Sequence, residues 1–286
     1  MAPATDGGLA SLGRARFGGG MKQTFAALSF SFLASAGFAQ SVSYDLFRDA
    51  DVVFLGEVHD NPVHHDNQAQ AILAIGPKAV VFEMLVPKQA KKVTPELLDD
   101  GPALEVALGW NDSGWPDFSM YYPVFAALGD AKTYGAQVSR EAAGVAFKGG
   151  DMSTVLDGGG AEFGLTLPLP QAQQEAREAL QLAAHCDALP AEMLPGMVMA
   201  QRLRDARLAQ AVTEALAETG GPVAVITGNG HARSDWGATA LIRQLDAEVT
   251  VVALGQSEDG QTPDGGFDLI IDSPGVDRGD PCDAFR

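Results

Sequence analysis

Several segments of this 286-residue sequence place polar or ionisable side chains directly after apolar runs. The residues are Glu57 and His59 after the first run, Glu83 after the second, Arg140 after a weaker run, and Asn229 and His231 after a later run. If these runs are strands of one parallel sheet, their carboxyl ends meet at one edge, so the side chains surround one crevice. Carboxylates and imidazoles held together can exchange protons or bind a metal ion. The spacing therefore predicts a polar functional site at the strand ends.

Some of these residues also have a structural interpretation that the sequence leaves open. Glu57 lies near the start of a predicted helix, where a carboxylate complements the helix dipole. Glu83 would be a buried carboxylate in need of a partner, which Arg140 could supply. His65 falls on the apolar face of the same helix as His64, which fits a hydrogen-bonded core histidine as well as a site residue. His64 lies on the flank of that helix and is expected to be solvated.

Motif spacing narrows the chemistry of the predicted crevice. Glu57, His59, Glu83 and His231 form a mixed nitrogen and oxygen donor set that suits Zn²⁺ or another divalent ion. The sequence contains no His-Glu-x-x-His and no Cys-x-x-Cys motif. It also has no Gly-x-Gly-x-x-Gly after the first strand and no Gly-x-Ser-x-Gly, which argues against a dinucleotide site and a serine hydrolase of the α/β type. A metal-dependent hydrolase that uses the strand-end Glu and His residues stays open.

Haem is a second candidate ligand. Tyr121, Tyr122 and His185 lie in the central part of the chain, and their side chains are of types that ligate haem iron. Methionine sulfur is another such ligand, but methionines on a helix stripe usually serve core packing. Apolar helices that cover the strand ends and carry a few of these ligands would suit a porphyrin.

The elements that would position these residues form an α/β fold. Continuous apolar runs are typical of parallel strands buried on both faces. The runs are Val52–Leu55, Val80–Phe82, Val223–Ile226, Val249–Ala253 and Leu269–Ile271, with Ala136–Ser139 as a weaker candidate. Helices are predicted from Asn61 as N-cap, over Gln171–Ala184, over Pro195–Glu218 and over Asp235–Leu245. We predict a mostly parallel sheet flanked by helices, with a large helical insertion at about residues 88–220.

The N-terminal part of the chain indicates export. Residues 21–39 begin with a methionine and a lysine, continue with an apolar run from Phe25 to Phe38, and end with small residues before Gln40. This pattern predicts a signal peptide that is cleaved before Gln40. Residues 1–20 are interpreted as a start-site extension and residues 40–286 as a single domain. The apolar run is too short to span a bilayer. The predicted cleavage site has no cysteine that could be lipidated. We expect a periplasmic or secreted protein that is not a lipoprotein and has no integral membrane segment once processed.

Charge and cysteine content narrow the partners. The chain carries a net charge of −18, and the part after residue 39 carries 16 Lys and Arg against 36 Asp and Glu. Such a surface repels phosphate backbones and anionic lipid heads, so nucleic acid is excluded as a partner. Cys186 and Cys282 are the only cysteines. An even count in an oxidising compartment, without a redox pair, predicts one structural disulfide between them.

A family resemblance can be stated from these motifs. The segment Gly56–Pro62, with His65, Gln68 and Glu83, resembles the opening of the ChaN-like haem-binding uptake family. Later segments also match the family in order and spacing, and these segments are Trp115, Tyr122-Pro123, Arg140, His185-Cys186, Gln201–Asp205 and Gly228–Arg233. The resemblance therefore covers nearly all of residues 45–255.

The resemblance implies an exported haem-binding protein with a role in iron or haem uptake or trafficking. In the family, haem is bound through a tyrosine at a dimer interface, so haem and a second copy of the chain are the partners it implies. It also implies kinship with the Tiki and erythromycin-esterase group. There, similar Glu and His positions serve metal-dependent or general-base hydrolysis, which keeps the hydrolase alternative open.

Overall fold

The computed structural model describes residues 44–280 together with Cys282 and Asp283. The predicted start-site extension and signal peptide lie outside these residues, and both stay predictions. Of the helices in the described part, none combines the length and hydropathy needed to span a bilayer.

Six strands form one parallel sheet, which confirms the predicted α/β class. The strands are β1 Val52–Glu57, β2 Ala79–Phe82, β3 Lys132–Gly135, β4 Val223–Gly228, β5 Val251–Glu258 and β6 Leu269–Ser273. Their order across the sheet is β3-β2-β4-β1-β5-β6, with every neighbouring pair parallel. Every residue of β1, β2 and β4 is buried, as expected for central strands covered on both faces.

Ten helices are present in the described residues, and they cover both faces of the sheet. The helices are α1 Pro62–Ile75, α2 Pro87–Ala90, α3 Pro95–Leu98, α4 Gly101–Leu108, α5 Phe118–Ala126, α6 Arg140–Phe147, α7 Gln171–Ala184, α8 Leu194–Thr219, α9 Asn229–Ala232 and α10 Ala238–Leu245. Val53 and Leu55 of β1 pack towards α1, α4 and α5, whereas Val52 and Phe54 pack towards α8 and α10. Alternate residues of one strand therefore belong to two separate cores.

The start of α1 follows the predicted capping chemistry. Asn61 is the N-cap, and its side-chain oxygen accepts a hydrogen bond from the backbone N–H of Val63 at 3.0 Å. Pro62 occupies the first helical position, where its missing N–H costs nothing. This cap fixes the direction in which the chain leaves β1, and so the position of the loop that carries His59.

The predicted helical insertion contains a strand as well as helices, and that strand was placed too late in the sequence. Strand β3 spans Lys132–Gly135, whereas the candidate Ala136–Ser139 lies beyond it and Ser139 caps α6. The reason is the position of β3 at the edge of the sheet. Lys132 is exposed, and Thr133 and Tyr134 are half-buried, so β3 lacks the continuous apolar run that identifies a central strand.

The connections around β1 and β4 open a crevice between their carboxyl ends. The chain leaves β1 along one face of the sheet and enters β2, on the far side of β4. It leaves β4 along the opposite face and enters β5, on the far side of β1. Connections that diverge in this way from two adjacent parallel strands leave a cleft at the strand ends, where α/β proteins bind ligands.

The predicted disulfide is present between Cys186, just after α7, and Cys282 in the C-terminal tail, with the two Cα atoms 5.6 Å apart. The same tail is held a second time by Arg278. Its guanidinium forms ion pairs with Asp60 beside the end of β1 and with Glu258 at the end of β5. The tail thus runs from the strand ends to the end of α7.

Candidate functional site

The structure brings Glu57, His59, Glu83 and His231 together at the carboxyl ends of β1, β2 and β4. A cavity of about 310 Å³ opens beside them, with His59 and His231 in its wall. Helices α7 and α8 form much of the rest. Residues from these helices and from the loop after α9 include Arg177, Leu180, Ala184, Val198, Asp205 and Trp236. A larger cavity of about 700 Å³ lies beside β3, away from these side chains, so the site is assigned by its chemistry and not by its size.

Glu57 is the centre of the first group of side chains. One carboxylate oxygen, Oε1, is 2.6 Å from His59 Nδ1 and accepts a hydrogen bond from the Tyr121 hydroxyl at 2.7 Å. The other, Oε2, accepts from Gln68 Nε2 at 2.7 Å and lies 3.4 Å from His65 Nδ1. Burial opposes ionisation, but the hydrogen bonds from His59 and His65 outweigh it and hold the pKa of Glu57 far below its usual range. Glu57 is therefore a fully buried anion with a complete set of donors.

The pKa values of the two adjacent histidines of α1 are shifted in opposite directions. His64 Nδ1 accepts a hydrogen bond from the Val58 N–H at 2.9 Å, and burial lowers the pKa of this imidazole. His65 faces acceptors through both ring nitrogens, Gln68 Oε1 on one side and the His59 carbonyl on the other. Burial lowers the pKa of His65, but Glu57 raises it by more. The expectation that His64 is solvated was wrong, because its ring is completely buried.

His59 joins the Glu57 group to the cavity. Burial lowers its pKa, but the hydrogen bond to Glu57 and the charge of Glu83 outweigh that effect and raise the pKa to about 9. Its second ring nitrogen, Nε2, lies over Gly228, where a Cβ atom would come within 3.0 Å of it. Glycine at position 228 thus lets the imidazole lie across the end of β4, and the ring centre of Trp115 lies 5.0 Å from the His59 ring.

Glu83 and His231 belong to a second group, which includes Asp205 of α8. Glu83 Oε2 accepts hydrogen bonds from the Thr227 hydroxyl at 2.6 Å and from the Gly228 N–H at 3.0 Å. His231 Nδ1 lies 2.7 Å from Asp205 Oδ1, and its Nε2 lies 3.7 Å from Glu83 Oε1. Burial lowers the pKa of His231, but the charges of Glu83 and Asp205 raise it by more. One imidazole is thus held between two carboxylates.

The remaining predicted residues lie outside this arrangement or have structural partners. Arg140 begins α6 and is exposed, so the predicted ion pair with Glu83 is wrong, and Thr227, Gly228 and His231 hold Glu83 instead. Asn229 bonds to both the N–H and the carbonyl of Gln256 and so ties the end of β4 to β5.

The three residues predicted as haem ligands lie in three different settings. Tyr121 is completely buried and donates its hydroxyl to Glu57, and burial and that carboxylate raise its pKa far above the usual value. Tyr122 donates to the Leu98 carbonyl at 3.1 Å. His185 is half-buried at the end of α7, with Nδ1 at 2.7 Å from the Gln181 carbonyl. Burial and hydrogen bonding keep Tyr121 as a neutral phenol, which disfavours it as an iron ligand.

Two contributors to the site were not recognised from the sequence. Asp205 lies on the apolar stripe of α8 between Leu203 and Ala206, and a buried carboxylate at such a position is itself a signal that a partner exists. Arg177 lies on the amphipathic helix α7, where the sequence offers no reason to separate it from other surface charges.

Within residues 44–280 and 282–283, no group of three or more His, Cys, Asp and Glu side chains is arranged to hold a metal ion. Glu57, Glu83 and Asp205 are each occupied by donors from the protein instead.

We expect the thermal stability of the ligand-free protein to fall as pH rises from about 6.5 to about 9. The folded pKa of His59 lies above its ordinary value of 6.5. The stabilisation that the ion pair with Glu57 contributes is therefore fully present below pH 6.5. It is lost as pH rises through about 9, where the folded protein also releases the proton of His59. Melting temperatures followed by circular dichroism across this interval would measure the effect. The fall of melting temperature with pH should be less steep in His59→Gln. Part of the fall should persist, because the pKa values of His65 and His231 are also raised. An unchanged slope in that variant would contradict the assignment.

The chain is similar to known proteins both in sequence profile and in structure. The sequence profile of the family described as haem-binding uptake, Tiki superfamily, ChaN matches residues 44–242. A structure of cofacial haem binding to ChaN of Campylobacter jejuni is similar to this chain, with 18% identity and a TM-score of 0.54 over 75% of this chain and 84% of that one. The type III effector HopBA1 gives 15% identity and a TM-score of 0.42 over 80% and 91% of the two chains. No curated protein sequence matches the chain.

Proposed function

The chain belongs to the haem-binding uptake family of the Tiki superfamily, the ChaN family, and we propose from this that it binds haem and acts in haem or iron uptake or trafficking. The profile match, which covers most of the described domain, is the observation that carries the proposal. Export to the periplasm is part of the proposal, because it rests on the predicted signal peptide. The disulfide supports it, since such bonds persist in oxidising compartments.

The donor chemistry of the crevice fits haem iron through His59. Histidines that ligate a metal commonly donate their other ring N–H to a carboxylate, which fixes the ring and raises its basicity. His59 has this arrangement, with Nδ1 on Glu57 and Nε2 over Gly228 in the cavity wall. Ligation through Nε2 would require loss of the ring proton that the raised pKa of His59 retains at neutral pH. Bound haem would supply an iron centre with redox and ligand-exchange chemistry. The protein's part is to hold the imidazole still and to present an apolar wall.

The cavity would hold only part of a porphyrin. Its volume of about 310 Å³ is near the lower limit for pockets that enclose a drug-sized ligand, about 300 Å³. Apolar side chains from α7, α8 and the following loop line it, including Leu180, Val198 and Trp236. The outer part of the ring would then need a further cover, and the proposal includes a homodimer in which a second copy supplies it.

Haemin titration of the purified protein, with metal analysis of the same sample, tests the proposal. We expect a shift of the Soret band that saturates at a fixed haem-to-protein ratio. A sample that retains zinc or manganese and gives no Soret shift would reject haem binding and favour the metal-dependent alternative.

Hydrolysis is a second candidate function, favoured by the arrangement around His231. An imidazole oriented by a carboxylate through one nitrogen, with the other nitrogen near the cavity, is the usual form of a general base. His231 Nδ1 has that relation to Asp205 at 2.7 Å, and its Nε2 lies 3.7 Å from Glu83 Oε1. Because both carboxylates raise the pKa of His231, its base form is favoured as pH rises.

Replacing His231 by alanine separates a catalytic role from a structural one. If His231 is a base, we expect hydrolysis of a panel of chromogenic esters to fall by about 100- to 10,000-fold, the range typical of general acid–base catalysis. Because His231→Ala leaves the buried carboxylates of Asp205 and Glu83 without their shared partner, some loss of melting temperature is expected. A catalytic role predicts that activity falls by far more than in Asp205→Ala, which leaves His231 paired with Glu83. Equal loss of activity and stability would indicate a structural hydrogen-bond network.

A further inference from the structure

Two arginines, Arg177 and Arg233, pack on the ring of Trp236, and they differ in whether a carboxylate pairs with them. The guanidinium carbon of Arg233 lies 3.8 Å from the centre of the Trp236 ring, and that of Arg177 lies 5.2 Å away. Arg233 is fully paired, because its Nε and Nη2 donate to the two carboxylate oxygens of Asp235 at 2.6 and 2.7 Å. Among the described residues, Arg177 has no carboxylate at ion-pair distance, although it lies in the wall of the cavity beside His59 and His231.

The guanidinium of Arg177 retains an unused donor. Its Nε–H is buried and has no hydrogen-bond acceptor among the described residues. Its Nη2 makes one long hydrogen bond, 3.4 Å to the Trp236 carbonyl. A buried donor without an acceptor costs free energy, more so in a charged group, and a ligand oxygen would remove that cost. The indole N–H of Trp115, whose ring packs beside His59, is also buried, and the described part of the chain provides no acceptor for it.

Charge in the crevice also favours an anionic ligand. Each of the three carboxylates in the site already has an imidazole partner. Glu57 pairs with His59 and His65, and Glu83 and Asp205 both pair with His231. Arg177 adds a cation that has no carboxylate at ion-pair distance among the described residues, in a protein whose net charge is −18. Burial lowers the pKa of Arg177 to about 10, so the group stays positive at neutral pH.

The cavity wall around Arg177 is mainly apolar. Leu180 and Ala184 continue the same face of α7, and Val198 faces them from α8. A cation beside this apolar face of the cavity suits a ligand with a hydrophobic body and a carboxylate. We propose that Arg177 is the receptor for a carboxylate of the ligand that occupies this cavity. The inference rests on the proposed function, under which that carboxylate is a haem propionate.

A comparison of haemin with haemin dimethyl ester, which lacks free carboxylates, tests the inference. We expect the wild type to bind haemin about 10- to 100-fold more tightly than the ester, the range for one hydrogen bond to a charged group. Arg177→Gln should bind the two alike, and Arg177→Lys should regain part of the preference because it keeps the charge without the planar fork. Arg48→Gln, an exposed arginine near the start of the described chain, is the matched control. Melting temperatures confirm that each variant is folded.

An unchanged preference for haemin in Arg177→Gln would overturn the inference while leaving haem binding intact. A wild type that binds neither porphyrin would reject the proposed function instead. In that case the melting temperature in octanoate, with octanamide as the uncharged control, decides the inference. Stabilisation by octanoate in the wild type but not in Arg177→Gln would support a carboxylate receptor without haem. Equal responses in the two proteins would overturn it.

Discussion

Replacing His59 by alanine is expected to abolish ligation of haem iron while leaving the protein folded. The side chain of His59 is 35% exposed, and Glu57 keeps its donors Tyr121, Gln68 and His65 when the imidazole is removed. In haemin titrations we therefore expect the ligand-dependent Soret shift to disappear, with little change in the far-ultraviolet circular dichroism. Glu57→Gln should weaken haemin binding about 10- to 100-fold, since it acts through the orientation of His59.

The rival ligands supply the controls for this prediction. Tyr121→Phe, Tyr122→Phe and His185→Ala each remove one side chain that the sequence offered as an iron ligand. Each is expected to retain the Soret shift. If Tyr121→Phe loses it while His59→Ala keeps it, the iron ligand is the tyrosine and the carboxylate-held histidine has another role.

The central part of the fold could be predicted from the sequence because burial leaves a clear pattern there. Strands β1, β2 and β4 are covered on both faces, so nearly all their residues are apolar and their ends stand out. Strand β3 gives no such signal, since an edge strand can carry Lys132 and Tyr134 towards solvent. Its position was missed for that reason, even though the general class was correct.

The convergence of Glu57, His59, Glu83 and His231 could be predicted because it needs only the rule that parallel strands end at one edge. The partners of these residues could not be derived in the same way. Asp205 approaches His231 from α8, 26 residues earlier in the chain, and only the packing of α8 on the sheet brings them within 2.7 Å. A local pattern offers no means of choosing Asp205 as the partner over the other acidic residues of the chain.

Removing the disulfide is expected to lower the free energy of unfolding by about 4–5 kcal/mol. The bond joins residues 96 apart in sequence, and in the chain-entropy model a loop of about 100 residues restricts the unfolded chain by this amount. Arg278 holds the same tail through Asp60 and Glu258, so most of the folded structure should persist without the bond. Urea denaturation of the wild type with and without reductant, beside Cys186→Ser/Cys282→Ser, measures the loss. A wild type whose stability does not respond to reductant would contradict it.

The same substitution is expected to weaken haemin binding, because the bridge fixes the end of α7. That helix contributes Arg177, Leu180 and Ala184 to the cavity wall, and the bridged Cys186 lies two residues beyond its last turn. Once the tail is released, α7 is held mainly by its packing on α8. Haemin binding would then have to order this part of the cavity wall, and the entropy cost of that ordering lowers the affinity. Haemin affinity measured in the oxidised and the reduced protein, with Arg278→Gln as a second way to loosen the tail, tests this coupling. Equal affinities in all three would show that α7 is positioned by α8 alone and that the bridge serves stability only.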